Sequence, residues 1–256
     1  MEFIVTTTRE HQEQLKTTAE RWARALQVPL VARSGMNLDV MLEEYEADAI
    51  LVAANGGPKV YSKAGTFFYH PSMAKLRIQN LQDGKEDHLI NAMDLKPGMR
   101  VLDCTLGLAA DAAVCSYVVG EQGKVTGLEA SELLHFAVQY GLKNYDKGTP
   151  ELLAALQRIV AVRANAKSYL ASRTEEYDVI YFDPMFETPV EESSAMKPLR
   201  HLACQDKLTK DVIDLALQRA PRVVIKERYM KILRELGCTE FFGGKYSSVK
   251  FGVVHK

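Results

Sequence analysis

Apolar residues recur along the chain with two periods. Helical spacing marks Arg9 to Leu26, where Leu15, Ala19, Trp22, Ala23 and Leu26 fall on one stripe. Short apolar runs bounded by turn residues predict strands at Phe3-Ile4-Val5, Val28-Pro29-Leu30-Val31 and Ala49-Ile50-Leu51-Val52-Ala53. After the turn Asn55-Gly56-Gly57-Pro58, the runs Lys59-Val60-Tyr61 and Thr66-Phe67-Phe68-Tyr69 predict a hairpin around Ala64-Gly65. Ser72 to Leu81 and Lys85 to Met93 have helical patterns. The Pro-Gly turn in Asp94-Leu95-Lys96-Pro97-Gly98 then precedes a new apolar strand.

From Arg100 the two periods alternate. Strands are expected at Arg100–Asp103, Lys124–Glu129, Ile159–Val162, Asp178–Phe182 and Arg222–Lys226. Helices are expected at Ala109–Val119, Ser131–Asn144, Pro150–Arg158, Ala166–Ala171, Leu208–Arg219 and Met230–Leu236. This rhythm predicts an α/β fold with a mostly parallel sheet covered by helices on both faces. The closing runs, Phe241-Phe242 and Val249 to Val254, are joined through Gly243-Gly244 and predict an antiparallel last strand. Residues 1–71 then form a small N-terminal α/β subdomain, and residues 72–256 the main domain.

Composition is that of an ordinary folded domain. The 256 residues are 47% hydrophobic and 25% charged, as in ordinary globular domains. No apolar run reaches the roughly 18–20 residues that a membrane span needs. The N-terminus lacks the apolar run of a signal peptide, so a cytoplasmic protein with no membrane partner is expected. Cys104, Cys115, Cys204 and Cys238 form no Cys-x-x-Cys pair and suggest neither a zinc site nor a disulfide framework. No other metal-ligand spacing stands out, and no metal is expected. The net charge of −1 hides an asymmetry: from Ala195 to Lys256, 13 Lys and Arg face 6 Asp and Glu. That is either a local footprint for nucleic acid or a solvated helix face.

Candidate chemistry gathers at strand ends, where ligands of such sheets bind. The first strand of the main domain runs into Asp103-Cys104-Thr105-Leu106-Gly107-Leu108-Ala109-Ala110-Asp111. A dinucleotide fingerprint would carry three glycines here. Only Gly107 is present, with Thr105 and Ala109 at the other two positions. Glu129 ends the next strand, where an acid can accept hydrogen bonds from both ribose hydroxyls. Asn165 follows the third, where an amide offers both a donor and an acceptor to an adenine edge. The fourth leads into Asp183-Pro184-Met185-Phe186. Methyl transfer from a sulfonium to an exocyclic base amine mainly needs the nucleophile positioned. Asp183 can accept one amine N–H and the carbonyl of Pro184 the other, while Phe186 can stack on the base.

These residues resemble those of class I S-adenosylmethionine (SAM)-dependent methyltransferases. More narrowly, they are similar to the small-subunit ribosomal RNA guanine (exocyclic amine) methyltransferases. That family carries an Asp-x-Thr-x-Gly-Leu-Gly-x-Asp loop and an Asp-Pro-Met-Phe loop. Met196-Lys197-Pro198-Leu199-Arg200 also resembles its basic segment, and Val223-Val224-Ile225-Lys226 its fifth strand. The resemblance runs from about Ser72 to the C-terminus. It implies a Rossmann-like class I methyltransferase sheet, SAM as cofactor, and ribosomal RNA or the small ribosomal subunit as partner. By position it implies that Asp111, Glu129, Asn165 and Asp183 contact the cofactor or the reacting centre, with Asp103, Ala110, Ala130 and Ala166 beside them. Thr105 and Gly107 shape the loop. Two departures stand out. Ala109 replaces a family glycine, and the region up to Tyr69 matches poorly, with His70-Pro71-Ser72-Met73-Ala74 where the family is often glycine-rich.

Lys197, Arg200, Lys226 and Arg228 are the candidates for binding substrate phosphates, and Arg77, on the helix bordering the site, either meets a phosphate or the cofactor carboxylate or is a surface arginine. His70 lies in an aromatic turn and is either a packed ring or a base near the substrate. Two other readings stay open: a SAM-dependent enzyme acting on a small molecule or protein side chain, and a non-catalytic RNA- or nucleotide-binding module that keeps the sheet.

Overall fold

The computed structural model describes residues 1–184, 206–245 and 247–256. Its N-terminal part is a four-stranded sheet ordered β1 (Phe3–Thr7), β2 (Ala49–Ala54), β3 (Gly57–Ser62) and β4 (Gly65–Phe68). β1 and β2 are parallel, and the remaining pairs are antiparallel. Helix α1 (Gln12–Leu26) packs on one face and α2 (Leu38–Glu44) on the other. Two details differ from the sequence expectation. Val28–Val31 makes only a bridge, in which Val5 donates to the Pro29 carbonyl at 2.9 Å and Val31 donates to Val5 at 2.8 Å. Pro29 has no N–H to extend the ladder. Helix α2 was not expected from its seven residues, but Asn37 starts it by accepting the Asp39 N–H at 3.2 Å.

Two helices, α3 (Ala74–Gln82) and α4 (His88–Met93), lead to a seven-stranded sheet. Helix α4 begins three residues later than expected, because Asp87 caps it by accepting the N–H groups of Leu89 and Ile90. The strands are β5 (Arg100–Asp103), β6 (Lys124–Glu129), β7 (Ile159–Arg163), β8 (Val179–Phe182), β9 (Arg222–Glu227), β10 (Glu240–Phe242) and β11 (Lys250–His255). Their spatial order is β10-β11-β9-β8-β5-β6-β7. β5 to β9 are mutually parallel, and β11 runs antiparallel between β9 and β10. This is the α/β sheet with an antiparallel last strand that the alternating pattern predicts.

Side chains alternate across this sheet, as strand geometry requires. Val101, Val179, Tyr181, Val224 and Val253 face one buried cluster, and Leu102, Ile180, Phe182, Val223 and Val254 face another. The first cluster includes α5 (Ala110–Val119), α6 (Glu132–Asn144) and α7 (Pro150–Gln157). It also takes in Phe3, Val5, Trp22, Leu51, Val60 and Phe67, so the four-stranded sheet and the seven-stranded sheet share one core. The second is closed by α8 (Ala166–Ser172), α9 (Lys210–Leu217) and α10 (Met230–Glu235). Cys104, Cys115 and Cys238 are buried free thiols, and Cys204 lies outside the described residues. Among the described residues no helix is long and apolar enough to cross a membrane.

Candidate active site

The chain passes from β5 outward to β6 and β7 on one side, and returns to β8 and β9 on the other. The order therefore reverses beside β5, and such a switch point opens a crevice at the carboxyl ends of the strands. A cavity of about 430 Å³ lies there, within the roughly 300–1,000 Å³ of small-molecule sites. Its wall carries Thr105 and Gly107 after β5, Glu129 and Ala130 at the end of β6, Asn165 and Ala166 after β7, and Asp183 and Pro184 after β8. Asp206 and Thr209, just before α9, close another side.

The loop after β5 is pinned on both flanks. Leu106 donates to the Leu128 carbonyl at 2.9 Å, and Leu106 packs so closely on β6 that a Cβ at Gly127 would stand 2.3 Å from its Cδ1. Toward β8, the Asp183 N–H donates to Thr105 Oγ1 at 2.6 Å. Thr105 in turn donates its N–H to Asp103 Oδ1 at 2.9 Å. Asp103 is buried, and burial outweighs that bond and lifts its carboxyl to about 7. At the start of α5, Ala109 has φ 58° and ψ 22°. An L-residue in this left-handed region costs about 1–2 kcal/mol, which is the physical reason a glycine suits the position. Alanine keeps the turn here and is fully buried in it.

Glu129 is also buried, and its Oε1 accepts the Ser131 N–H at 2.9 Å. Burial raises its carboxyl despite the opposing N–H groups of Ser131, Gly107 and Ala130. The acid thus ties the β5 loop to the end of β6 while facing the cavity. Asn165 caps α8 by accepting the Ser168 N–H at 3.3 Å, and its Nδ2 donates to Asp206 Oδ2 at 2.7 Å.

Beside this cavity runs a chain of charges. Asp87 takes both Nε and Nη2 of Arg77, at 2.7 and 2.9 Å. Arg77 Nη1 pairs with Asp111 Oδ1. Asp111 Oδ2 accepts the Tyr181 hydroxyl at 2.9 Å and Lys226 Nζ at 3.3 Å, and Lys226 reaches Asp183 Oδ2 at 2.8 Å. Burial would raise Asp111, but Lys226 and Arg77 outweigh it and hold the carboxyl well below the usual range. Burial works against the charge on Lys226, and Asp111 and Asp183 more than offset it. Burial also lifts Asp183, partly countered by Lys226, to about 6.

Eight of the expected residues therefore share the cavity wall. Asp103, Ala110 and Asp111 are not among the lining residues. Arg77 and Lys226, both candidates for a phosphate contact, have their cationic groups engaged by Asp87, Asp111 and Asp183. Phe186, Lys197 and Arg200 lie outside the described residues. His70 accepts the Ser72 N–H on Nδ1 at 3.1 Å and sits against Phe68, with ring centroids 5.8 Å apart. Sequence reasoning passed over Asp87, Tyr181 and Asp206. Asp87 had a signal, as a capping acid before His88-Leu89-Ile90. Tyr181 had a fainter one, a hydroxyl in an otherwise apolar strand.

The family model described as "Putative SAM-dependent methyltransferase" matches residues 60–248. The chain belongs to this family. It is a SAM-dependent methyltransferase, which sets aside the non-catalytic module. Among relatives of this methyltransferase, YpiP of Bacillus subtilis (strain 168) is 34% identical over 254 residues, covering 98% of this chain and 97% of that one. Ribosomal RNA small subunit methyltransferase J of Coxiella burnetii (strain RSA 331 / Henzerling II) is 29% identical over 217 residues, covering 81% of this chain and 80% of that one. Among solved structures, the SAM-dependent methyltransferase NGO1261 from Neisseria gonorrhoeae superposes with a TM-score of 0.66 at 20% identity, covering 98% and 95% of the two chains. The likeness to that structure concerns the fold alone. The cavity suits SAM: it has nucleoside-ligand size, a buried acid at the end of β6, and a narrow loop held against β6.

Proposed function

We propose that this methyltransferase modifies the exocyclic amine of a guanine in small-subunit ribosomal RNA. The observation that carries the reading is the placement of Asp183 and Pro184 on the cavity wall at the end of β8. The relatives named ribosomal RNA small subunit methyltransferase J support the same class of acceptor.

SAM would supply an electrophilic methyl group on a cationic sulfur, which would leave as a neutral thioether when the sulfur–methyl bond breaks. Glu129 is the residue to accept from its ribose hydroxyls, and Asn165 and Ala166 line the wall for its adenine. Asp103, Thr105 and Gly107 shape the loop that borders the rest. The chain's main task is then to orient the nucleophile. An exocyclic amine is a poor nucleophile because its lone pair is delocalised into the ring. Asp183 accepts one N–H and the Pro184 carbonyl the other, which turns the lone pair toward the methyl. As the nitrogen gains positive charge, the Asp183 carboxylate stabilises it, and the departing amine proton leaves along that hydrogen bond.

The test uses methyl-labelled SAM and small ribosomal subunits from cells lacking the gene. We expect RNase-sensitive label with the intact protein and none with Asp183→Ala, whose SAM affinity stays within a few-fold. Full transfer by Asp183→Ala would overturn the role of Asp183. A different acceptor is the second reading, because the family match begins only at residue 60 while YpiP matches almost the whole chain. Label that resists RNase, or label found only in protein or metabolites, would favour it.

A further inference from the structure

We propose that Lys226 is a positioning residue for methyl transfer: it holds one oxygen of Asp183 so that the other faces the acceptor amine. The inference rests on the reading of Asp183 as the group that accepts the amine N–H. It goes beyond that reading by naming what sets the orientation and charge of the carboxylate.

The geometry begins with strand register. Phe182 is paired with Ile225, which brings Lys226 level with Asp183 on the neighbouring strand. Lys226 Nζ then lies 2.8 Å from Asp183 Oδ2. The main chain of Asp183 is fixed independently, through its N–H to Thr105 Oγ1. No described residue donates to Asp183 Oδ1. One oxygen is thus held, on a residue that lines the cavity wall.

A lysine on a surface samples many rotamers, and its ammonium moves with solvent. Lys226 does not have that freedom. Its side chain is only 22% exposed, and its ammonium bridges two carboxylates, Asp183 and Asp111. Asp111 is anchored in turn by Arg77 and Tyr181, and Arg77 by a bidentate pair with Asp87 at the start of α4. Held between two carboxylates, the ammonium is badly placed to reach an RNA phosphate.

The charges around Asp183 come from several elements. Lys226 touches it from β9, and Glu227 of β9, Asp111 of α5, Asp103 of β5 and Tyr181 of β8 lie close enough to act on it, while Arg77 of α3 acts through Asp111. Lys226 is the one cation in direct contact with Asp183 among the described residues. Removing its charge leaves Asp183 beside Asp111, Asp103 and Glu227, so protonation of Asp183 becomes easier.

The test measures kcat against pH for Lys226→Met, Lys226→Gln and Lys226→Arg, with the same RNA acceptor and with Asp183→Ala as reference. In Lys226→Met and Lys226→Gln the acid limb should move upward by about one pH unit or more, the size expected on losing an opposite charge in contact. At neutral pH kcat should fall, by about twofold for a shift of one unit and about tenfold for two, and partly return in alkali, while KM for SAM changes by less than about threefold. Lys226→Arg should restore the wild-type limb. SAM-dependent protection against heat reports which variants fold. Should Lys226→Met fail to fold, the near-isosteric Lys226→Gln carries the same comparison. An unmoved acid limb, or equal loss of activity at every pH, would overturn the proposal. So would a raised KM for RNA with kcat intact, which marks a phosphate contact instead. Full activity of Asp183→Ala would instead remove the underlying reading of Asp183.

Discussion

Asp183 shows how much one position demands of its surroundings. In the proposed role the ionised carboxylate is the form that also takes up the departing amine proton, yet burial lifts the carboxyl to about 6. With a folded value above the ordinary 3.8, the protonated acid is the form that folding favours. That contribution to stability is complete at low pH and fades as pH rises through 6, whereas activity runs the other way. We expect kcat to fall as pH drops through about 6, read from a pH–rate profile with saturating SAM, and Asp183→Asn to remove the dependence along with most of the activity. A profile flat from pH 5 to 8 would show that no carboxylate of this kind limits transfer. Asp183, Glu129 and Asn165 were legible in the sequence, since each ends or follows an apolar strand. The partners of Lys226 and Arg77 were not. Asp111 is 115 residues from Lys226 in the chain and 34 from Arg77, and only the folded sheet brings them together.

The strands and helices were mostly readable, because burial on both faces of a parallel sheet writes continuous apolar runs into the sequence. The exceptions were short and locally determined. Helix α2 depends on its Asn37 cap, and the Val28–Val31 segment is reduced to a bridge by Pro29. What periodicity could not convey is how tightly elements approach. Gly127 in β6 lies directly under Leu106, and a Cβ there would meet Cδ1 at 2.3 Å and Cγ at 3.0 Å. Leu106 is 3% exposed and has no open side to retreat to. We therefore expect Gly127→Ala to lift the β5 loop, with a stability loss of about 1–3 kcal/mol by denaturant titration. The same loop carries Thr105 and Gly107 on the cavity wall, so SAM affinity measured by calorimetry should fall with it. Lost stability with unchanged SAM affinity would mean that Leu106 moves without taking the loop along.

The pattern divides the chain near residue 71, and the two sheets do lie on either side of that point, but their packing joins them. Trp22 of α1 meets Phe136 and Tyr140 of α6 edge-on, each with ring centroids 5.5 Å apart. Tyr69, just after β4, lies against Gly141 of α6 so closely that a Cβ there would stand 2.1 Å from the root of its ring. A helix interior normally gains about 1 kcal/mol when glycine becomes alanine. Here the methyl would collide with the fixed end of a half-buried side chain, and overpacking of that kind costs about 1–3 kcal/mol. For a chain of this length each kcal/mol moves Tm by about 2–4 °C. Gly141→Ala should accordingly lower Tm by several degrees, despite its better helix propensity. Because one core spans both sheets, the wild-type protein should melt in a single calorimetric transition that SAM shifts as a whole. Two separable transitions, with only the later one responding to SAM, would show that the four-stranded sheet is an independent unit. The contacts from Trp22 and Tyr69 onto α6 argue otherwise, because α6 starts just after Glu129 and so ties the N-terminal sheet to the strand end that faces the cavity.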